Sequence, residues 1–232
     1  TAYEAVSKLA AANITTGYDD GTFKPANNLT RAHISAFLAR AIKFAEGDNT
    51  AKPAAKDMLV HFINVGQGDS TFIQAPNGKN MLIDAGTKEY GDDVVAYLQS
   101  LNVTKIDYVV ATHPDADHIG GLAAVMNAFA IGEFINSGKA HTSQTYEDLL
   151  QLVLTKDIQY TEPIVSQLIN LDSALKVQVL AVDSTNNDNN DASIILKATY
   201  NKISFLLTGD ASSQIEEEVA AKHNVAATVL KA

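Results

Sequence analysis

Thr112-His113-Pro114-Asp115-Ala116-Asp117-His118-Ile119-Gly120-Gly121 constrains this chain more than any other stretch. It follows directly on the apolar run Tyr108-Val109-Val110-Ala111, which reads as a short buried strand. Two imidazoles and two carboxylates are thereby delivered together at a strand's C-terminal edge, in the manner of a divalent-metal site. With only 6 histidines in 232 residues, composition alone would produce H-x-D-x-D-H roughly one time in a thousand. Carboxylates crowded this closely repel one another unless a cation sits among them. Gly120 and Gly121 let the backbone turn sharply beside such a site.

The bulk properties narrow the function further. Seventeen basic residues against 27 acidic ones give a net charge of −10, which repels nucleic acid unless bound cations offset it. The chain has no cysteine, so thiolate ligands and cysteine nucleophiles are excluded. No run has the length and apolarity of a membrane span. The opening residues lack the basic and apolar regions of a signal peptide. The chain opens inside an amphipathic pattern and stops on Thr228-Val229-Leu230-Lys231-Ala232, and so reads as a fragment.

Three segments are expected: a module at 1–46, a linker at 47–57 and a larger domain at 58–232. In the first, residues 2–13 and 31–45 carry helical apolar spacing, with Gly17-Tyr18-Asp19-Asp20-Gly21 as the break between them. Gly47 to Lys56 is small, polar and proline-bearing, as a linker is. In the larger domain, Met58–Val65, Thr71–Gln74 and Met81–Ile83 read as strands, with a turn at Pro76-Asn77-Gly78-Lys79. Helices are expected at 92–101, after Gly121, at 147–155 and at 214–221. Leu122, Val125, Met126 and Phe129 fall at i, i+3, i+4 and i+7, so Met126 is core and not a ligand. Further strands are expected before Lys139, at 176–182, in a hairpin over 192–207 and at 225–230. His61 reads as a packing residue, and His223 as a surface residue at a helix end. Strands alternating with helices, with the polar residues in the loops, indicate an α/β layered fold.

Two resemblances follow from these residues. Ile14-Thr15-Thr16-Gly17-Tyr18-Asp19-Asp20-Gly21-Thr22-Phe23-Lys24-Pro25 with Leu29-Thr30-Arg31-Ala32 resembles one S-layer homology repeat. That implies binding to secondary cell-wall polysaccharide, with Arg31 facing the anionic sugar, and an extracellular, cell-wall or S-layer location. His33 stands where that family usually has glutamate.

The larger domain resembles the metallo-β-lactamase superfamily, most closely the branch found in bacterial DNA-uptake competence proteins. The motifs are Val65-Gly66-Gln67-Gly68-Asp69-Ser70, Leu82-Ile83-Asp84-Ala85-Gly86, Thr112 to Gly121, Asn190-Asp191-Ala192-Ser193 and Leu206-Leu207-Thr208-Gly209-Asp210. The resemblance implies an αββα sandwich with two divalent metals at one edge. His113 and Asp115 would hold the first ion, Asp117 and His118 the second, and Asp210 both, with Asp191 near a further ligand position. Asp69, Asp84, Asn190 and Ser193 would support these groups through hydrogen bonds. Asp117 and Asp210 would carry the catalysis, and Lys139, His141 and Tyr146 would meet substrate.

Aspartate at 115 in place of histidine tilts the metal preference from zinc towards manganese or magnesium, although zinc accepts carboxylates too. Members of this branch continue past a strand like Thr228–Lys231 into a G-H-H-G-S segment. Its absence here leads us to expect a missing histidine ligand and partial metal loading. The implied activity is a surface-anchored hydrolase, a phosphodiesterase or nuclease working through a metal-bridging hydroxide. A carboxylic ester or lactone hydrolase, or a catalytically silent wall-anchored binding protein, are the alternatives.

Overall fold

Alternate residues along the central strands are apolar on both sides, so each strand must be covered on two faces. The computed structural model describes residues 57–232, and Lys56–Ala232 forms one compact unit. The helices expected at 2–13 and 31–45, Arg31, and all of the linker but its last residue lie outside the described residues.

One sheet has six strands in chain order: β1 (Leu59–Phe62), β2 (Thr71–Gln74), β3 (Asn80–Ile83), β4 (Lys105–Ala111), β5 (Ala130–Asn136) and β6 (Gln159–Thr161). The first three pair antiparallel, and β3 to β6 are parallel. Parallel neighbours require crossovers. These are α1 (Gly91–Ser100), then α2 (Ala116–Ile119) with α3 (Leu122–Ala128), then α4 (Gln144–Thr155). The second sheet runs β11-β10-β9-β8-β7, built from β7 (Leu168–Asp172), β8 (Leu175–Ala181), β9 (Ile195–Tyr200), β10 (Ile203–Leu207) and β11 (Val229–Lys231). α5 (Ser213–Lys222) joins its last two strands, which are parallel.

The pleat sorts the side chains into three apolar layers. Leu82 and Val109 face outward and pack with Val94 and Leu98 of α1, Leu122 and Met126 of α3, and Leu149 of α4. Met81, Ile83 and Val110 face the other way, against Val177, Val179, Leu196 and Leu207 of the second sheet. Leu180, Ile195 and Leu206 point outward again and meet Val219 of α5. Helices, sheet, sheet, helix is the αββα sandwich expected from the motifs. Met126 is fully buried in the first of these layers.

Several boundaries differ from the sequence expectation. The first strand ends at Phe62, not Val65; the chain then turns through Gly66 at φ +66°. The last strand begins at Val229, because the Asn224 side chain accepts the Ala226 N–H and holds a turn where a strand was expected. Two short strands, β6 and β7, carry too few alternating residues to register in the sequence.

The loop between β1 and β2 leans on the loop after β4. Gly68 sits at φ +88°, and a Cβ there would lie 1.7 Å from the Asp117 carbonyl oxygen. Gly78 has nearly the same backbone, φ +91°, with nothing within 4 Å. The pair separates backbone strain from contact. We expect Gly78→Ala to cost about 1 kcal/mol in chemical denaturation, the left-handed penalty alone. Gly68→Ala should cost about 2 kcal/mol more, the added overpacking.

Candidate metal centre

The parallel strands β3 and β4 end side by side, and the polar residues that follow them meet. Asp84 follows β3, Thr112 and His113 follow β4, and His118 lies on α2. The second sheet adds Ser193, just before β9, and Asp210, just after β10. The two sheets are joined here by a bond from Ile194 N–H to the Thr112 carbonyl, 3.0 Å.

Asp84 has no solvent access and sits at φ +57°, a conformation that aspartate tolerates better than most residues. Its carboxylate accepts the Thr112 N–H at 2.9 Å and the Thr112 hydroxyl at 2.6 Å, and lies 2.9 Å from His118 Nδ1. An unpaired charge at such a depth would cost several kcal/mol. Three donors satisfy this one.

His113 and His118 are buried, with ring centroids 4.1 Å apart. His113 Nδ1 lies 3.0 Å from Thr112 Oγ1 and 3.3 Å from Ser193 Oγ, and Ser193 Oγ also accepts the Asp210 N–H. Among the described residues, neither ring's Nε2 has a hydrogen-bond partner. His118 Nε2 lies 3.2 Å from Asp210 Oδ1, an ion-pair contact without hydrogen-bond alignment. His113 Nε2 lies 3.8 Å from Asp115 Oδ2. Buried polar atoms in native proteins are almost always satisfied. Two orphaned imidazole nitrogens converging with a carboxylate therefore mark a place for a cation. His113, His118 and Asp210 each offer a ligand atom within 4.8 Å of the others, so this trio could hold a metal ion.

The electrostatics agree. Burial lowers the pKa of His113, and the neighbouring His118 lowers it further. Burial alone would also lower His118, but the flanking carboxylates of Asp210 and Asp84 outweigh it and push His118 up to about 10. The His118 contact holds Asp210 below the usual carboxylate range against the opposing effect of burial. Without a cation, His118 itself takes up the positive charge these acids draw; a bound ion would replace the proton on its Nε2.

The other expected residues divide. Asp115 borders the trio, and its Oδ1 accepts from Asn189 Nδ2 at 2.7 Å. Asp117 lies outside the trio's ligand set, its Oδ2 accepting from Gln67 Nε2 at 3.2 Å. Asp191 turns away, its Oδ1 accepting the Ser212 N–H at the start of α5. The Asn190 N–H is bonded to Asp188 Oδ1 in the preceding turn. Among the described residues Asp69 meets no histidine; it pairs with Lys231 Nζ at 2.6 Å, tying the β1–β2 loop to β11. Lys139 Nζ donates to the Asn186 carbonyl. His141 Nδ1 lies 2.9 Å from Ser143 Oγ, and the Tyr146 hydroxyl accepts from Asn136. His61 does pack, on Phe72 and Tyr97. Thr112, Lys231, Asn189 and Gln67 had no assigned role in the sequence. Of these, the lysine in an apolar strand and the threonine abutting the histidine motif were the available signals.

The layers and the donor set describe an αββα domain able to hold a metal ion. The chain belongs to the metallo-beta-lactamase superfamily, which it matches over residues 63–230, and residues 1–34 match the S-layer homology domain. Membership implies divalent metal binding. ComE operon protein 3 of Bacillus subtilis is 24% identical over 191 residues, covering 74% of this chain and 24% of that protein. Recombination protein 2 of Haemophilus influenzae is 27% identical over 165 residues, covering 68% of this chain and 19% of that protein. This chain thus spans about a quarter or less of these relatives' length. Among solved structures, the diiron β-hydroxylase CmlA of Streptomyces venezuelae is similar at TM-score 0.48 and 14% identity, covering 87% of this chain and 40% of that one. A metallo-beta-lactamase of Cronobacter sakazakii is similar at TM-score 0.47 and 16% identity, covering 66% and 61%.

In metal-free protein, the raised pKa of His118 links stability to pH. The folded state binds this proton more tightly than the unfolded state does, so the stabilisation is complete below about pH 6.5 and is lost as pH rises through about 10. Chelator-treated protein should therefore lose thermal stability between pH 7 and pH 10. His118→Gln should be less stable at pH 7 but lack that component of the slope, which thermal denaturation across this range will show.

Proposed function

We propose that this domain is a surface-anchored phosphodiesterase, acting on an extracellular nucleic acid or a wall-linked phosphate polymer. The observation that carries this reading is the pair of buried, partnerless Nε2 atoms of His113 and His118 converging with Asp210. His113 and Asp115 would bind one divalent ion, Asp117 and His118 a second, and Asp210 would serve both. Asp191 is the weakest member of this set, since its carboxylate is already engaged. Zinc and manganese suit a mixed imidazole and carboxylate site, and magnesium is the harder option. Bound divalent ions would supply Lewis acidity and lower the pKa of water at the site.

The chain's own residues supply the rest. Asp117, half-buried and hydrogen-bonded by Gln67, would take a proton from the attacking water. Asn136 pairs with Ala111 across β5 and β4, so the loop bearing Lys139 and His141 starts beside the histidine loop. There the lysine ammonium would meet a substrate phosphate, with His141 beside it; Tyr146 is buried in the helix-side apolar layer and would act only through its packing on His141. A phosphodiester is favoured because one relative is named for recombination, a process whose material is DNA. The net charge of −10 means that such a polyanion is attracted only once cations are loaded. Arg31, within the S-layer homology match, would contact secondary cell-wall polysaccharide and hold the protein outside the cell.

The test is turnover of bis-p-nitrophenyl phosphate and of single-stranded DNA with manganese, zinc or magnesium added to the full chain. We expect activity that falls about 100-fold or more in Asp117→Ala and in His118→Ala. No turnover with any of the three ions, or unchanged turnover in both variants, would overturn the reading. Retention on purified cell walls that weakens in Arg31→Ala checks the anchoring.

A further inference from the structure

A count of protons around Asp84 gives Thr112 a role. A carboxylate only accepts hydrogen bonds. The Thr112 hydroxyl has one proton, and at 2.6 Å from Asp84 Oδ2 that proton is committed to the carboxylate. Towards His113, 3.0 Å away, Thr112 Oγ1 can therefore only accept, so His113 Nδ1 must carry the hydrogen. His118 Nδ1 faces Asp84 directly at 2.9 Å and must carry a hydrogen for the same reason. With both Nδ1 positions protonated, the Nε2 atoms are the ends turned to a ligand, His118 Nε2 once an ion displaces its proton, and these are the two that converge without partners.

We propose that Thr112 is a positioning residue: its hydroxyl relays the single buried carboxylate of Asp84 to His113, so that one acid fixes the tautomer of His113 and the ring orientation of both histidines. Ser193 Oγ, 3.3 Å from His113 Nδ1, does not fix the direction, because its own proton is not committed by a carboxylate. The threonine methyl is incidental to the relay. The inference rests on the reading of these histidines as ligands only for its functional consequence, since the His113 tautomer exists without any ion.

The experiment uses long-range proton–nitrogen correlation spectra of the histidine side chains in chelator-treated full chain at pH 7.5, assigned with His113→Gln. His113 is expected as the Nδ1–H tautomer in the wild type, in Thr112→Ser and in Ser193→Ala. In Thr112→Val, which keeps the shape and removes the hydroxyl, it is expected to shift towards Nε2–H while His118 keeps its Nδ1 hydrogen. Zinc affinity, measured by competition with a chromophoric chelator, should fall about 10- to 100-fold in Thr112→Val and by less than about 3-fold in Thr112→Ser. An Nε2–H tautomer for His113 in the wild type would overturn the relay, whether or not any variant folds. So would an unshifted His113 in Thr112→Val. Tautomers as expected but no phosphodiester turnover would remove the proposed activity and leave the relay standing.

Discussion

Burying a carboxylate costs several kcal/mol unless donors replace the water it loses, and the arrangement of this domain's centre follows from how that cost is met at Asp84. The side chain has no exposure, and its donors come from residues 28 and 34 positions further along the chain. They reach it because β3 and β4 are parallel neighbours, so the residues after each strand emerge at the same edge. The backbone follows: the Asp84 N–H bonds to the Val110 carbonyl, and the Ala85 N–H to the His118 carbonyl. Buried charge and strand order thus specify each other.

The second sheet completes what the first begins. β10 ends beside the same edge and presents Asp210, whose carboxylate faces His118. The sheets hold together through the apolar layer of Met81, Ile83, Val110, Val177, Val179 and Leu196. Lys231 adds an ion pair with Asp69 across the 162 residues that separate them. That pair is largely shielded, with side chains 28% and 15% exposed, and lies one residue from the Gly68 contact with the Asp117 loop.

Much of this was legible in the sequence where the relevant spacing is short. The motif from Thr112 to Gly121, the apolar spacing that buries Met126, and the hairpin ending at Asp210 are local patterns, and the layers follow from them. The supporting contacts are not local. Thr112 meets Asp84, Asn189 meets Asp115 and Lys231 meets Asp69 only after the sheets pack. Asp69 shows the difference: a carboxylate at a strand end near histidines suggests support for them, yet the nearest cation in the fold takes it. Asp191 and Asn190, read from motif position, are occupied by local bonds within their loop and with α5. The short strands β6 and β7 owe their pairing to neighbours more than to their own pattern.

The central claim is that the nitrogens turned inward by this network exist to receive a cation. Diffraction at the absorption edge of manganese or zinc, from crystals grown with that ion, tests it directly. The account predicts anomalous density for bound ions at His113 Nε2 and His118 Nε2, beside the Asp210 carboxylate. A featureless map there, with the imidazoles still paired to Asp84 and Thr112, would contradict it.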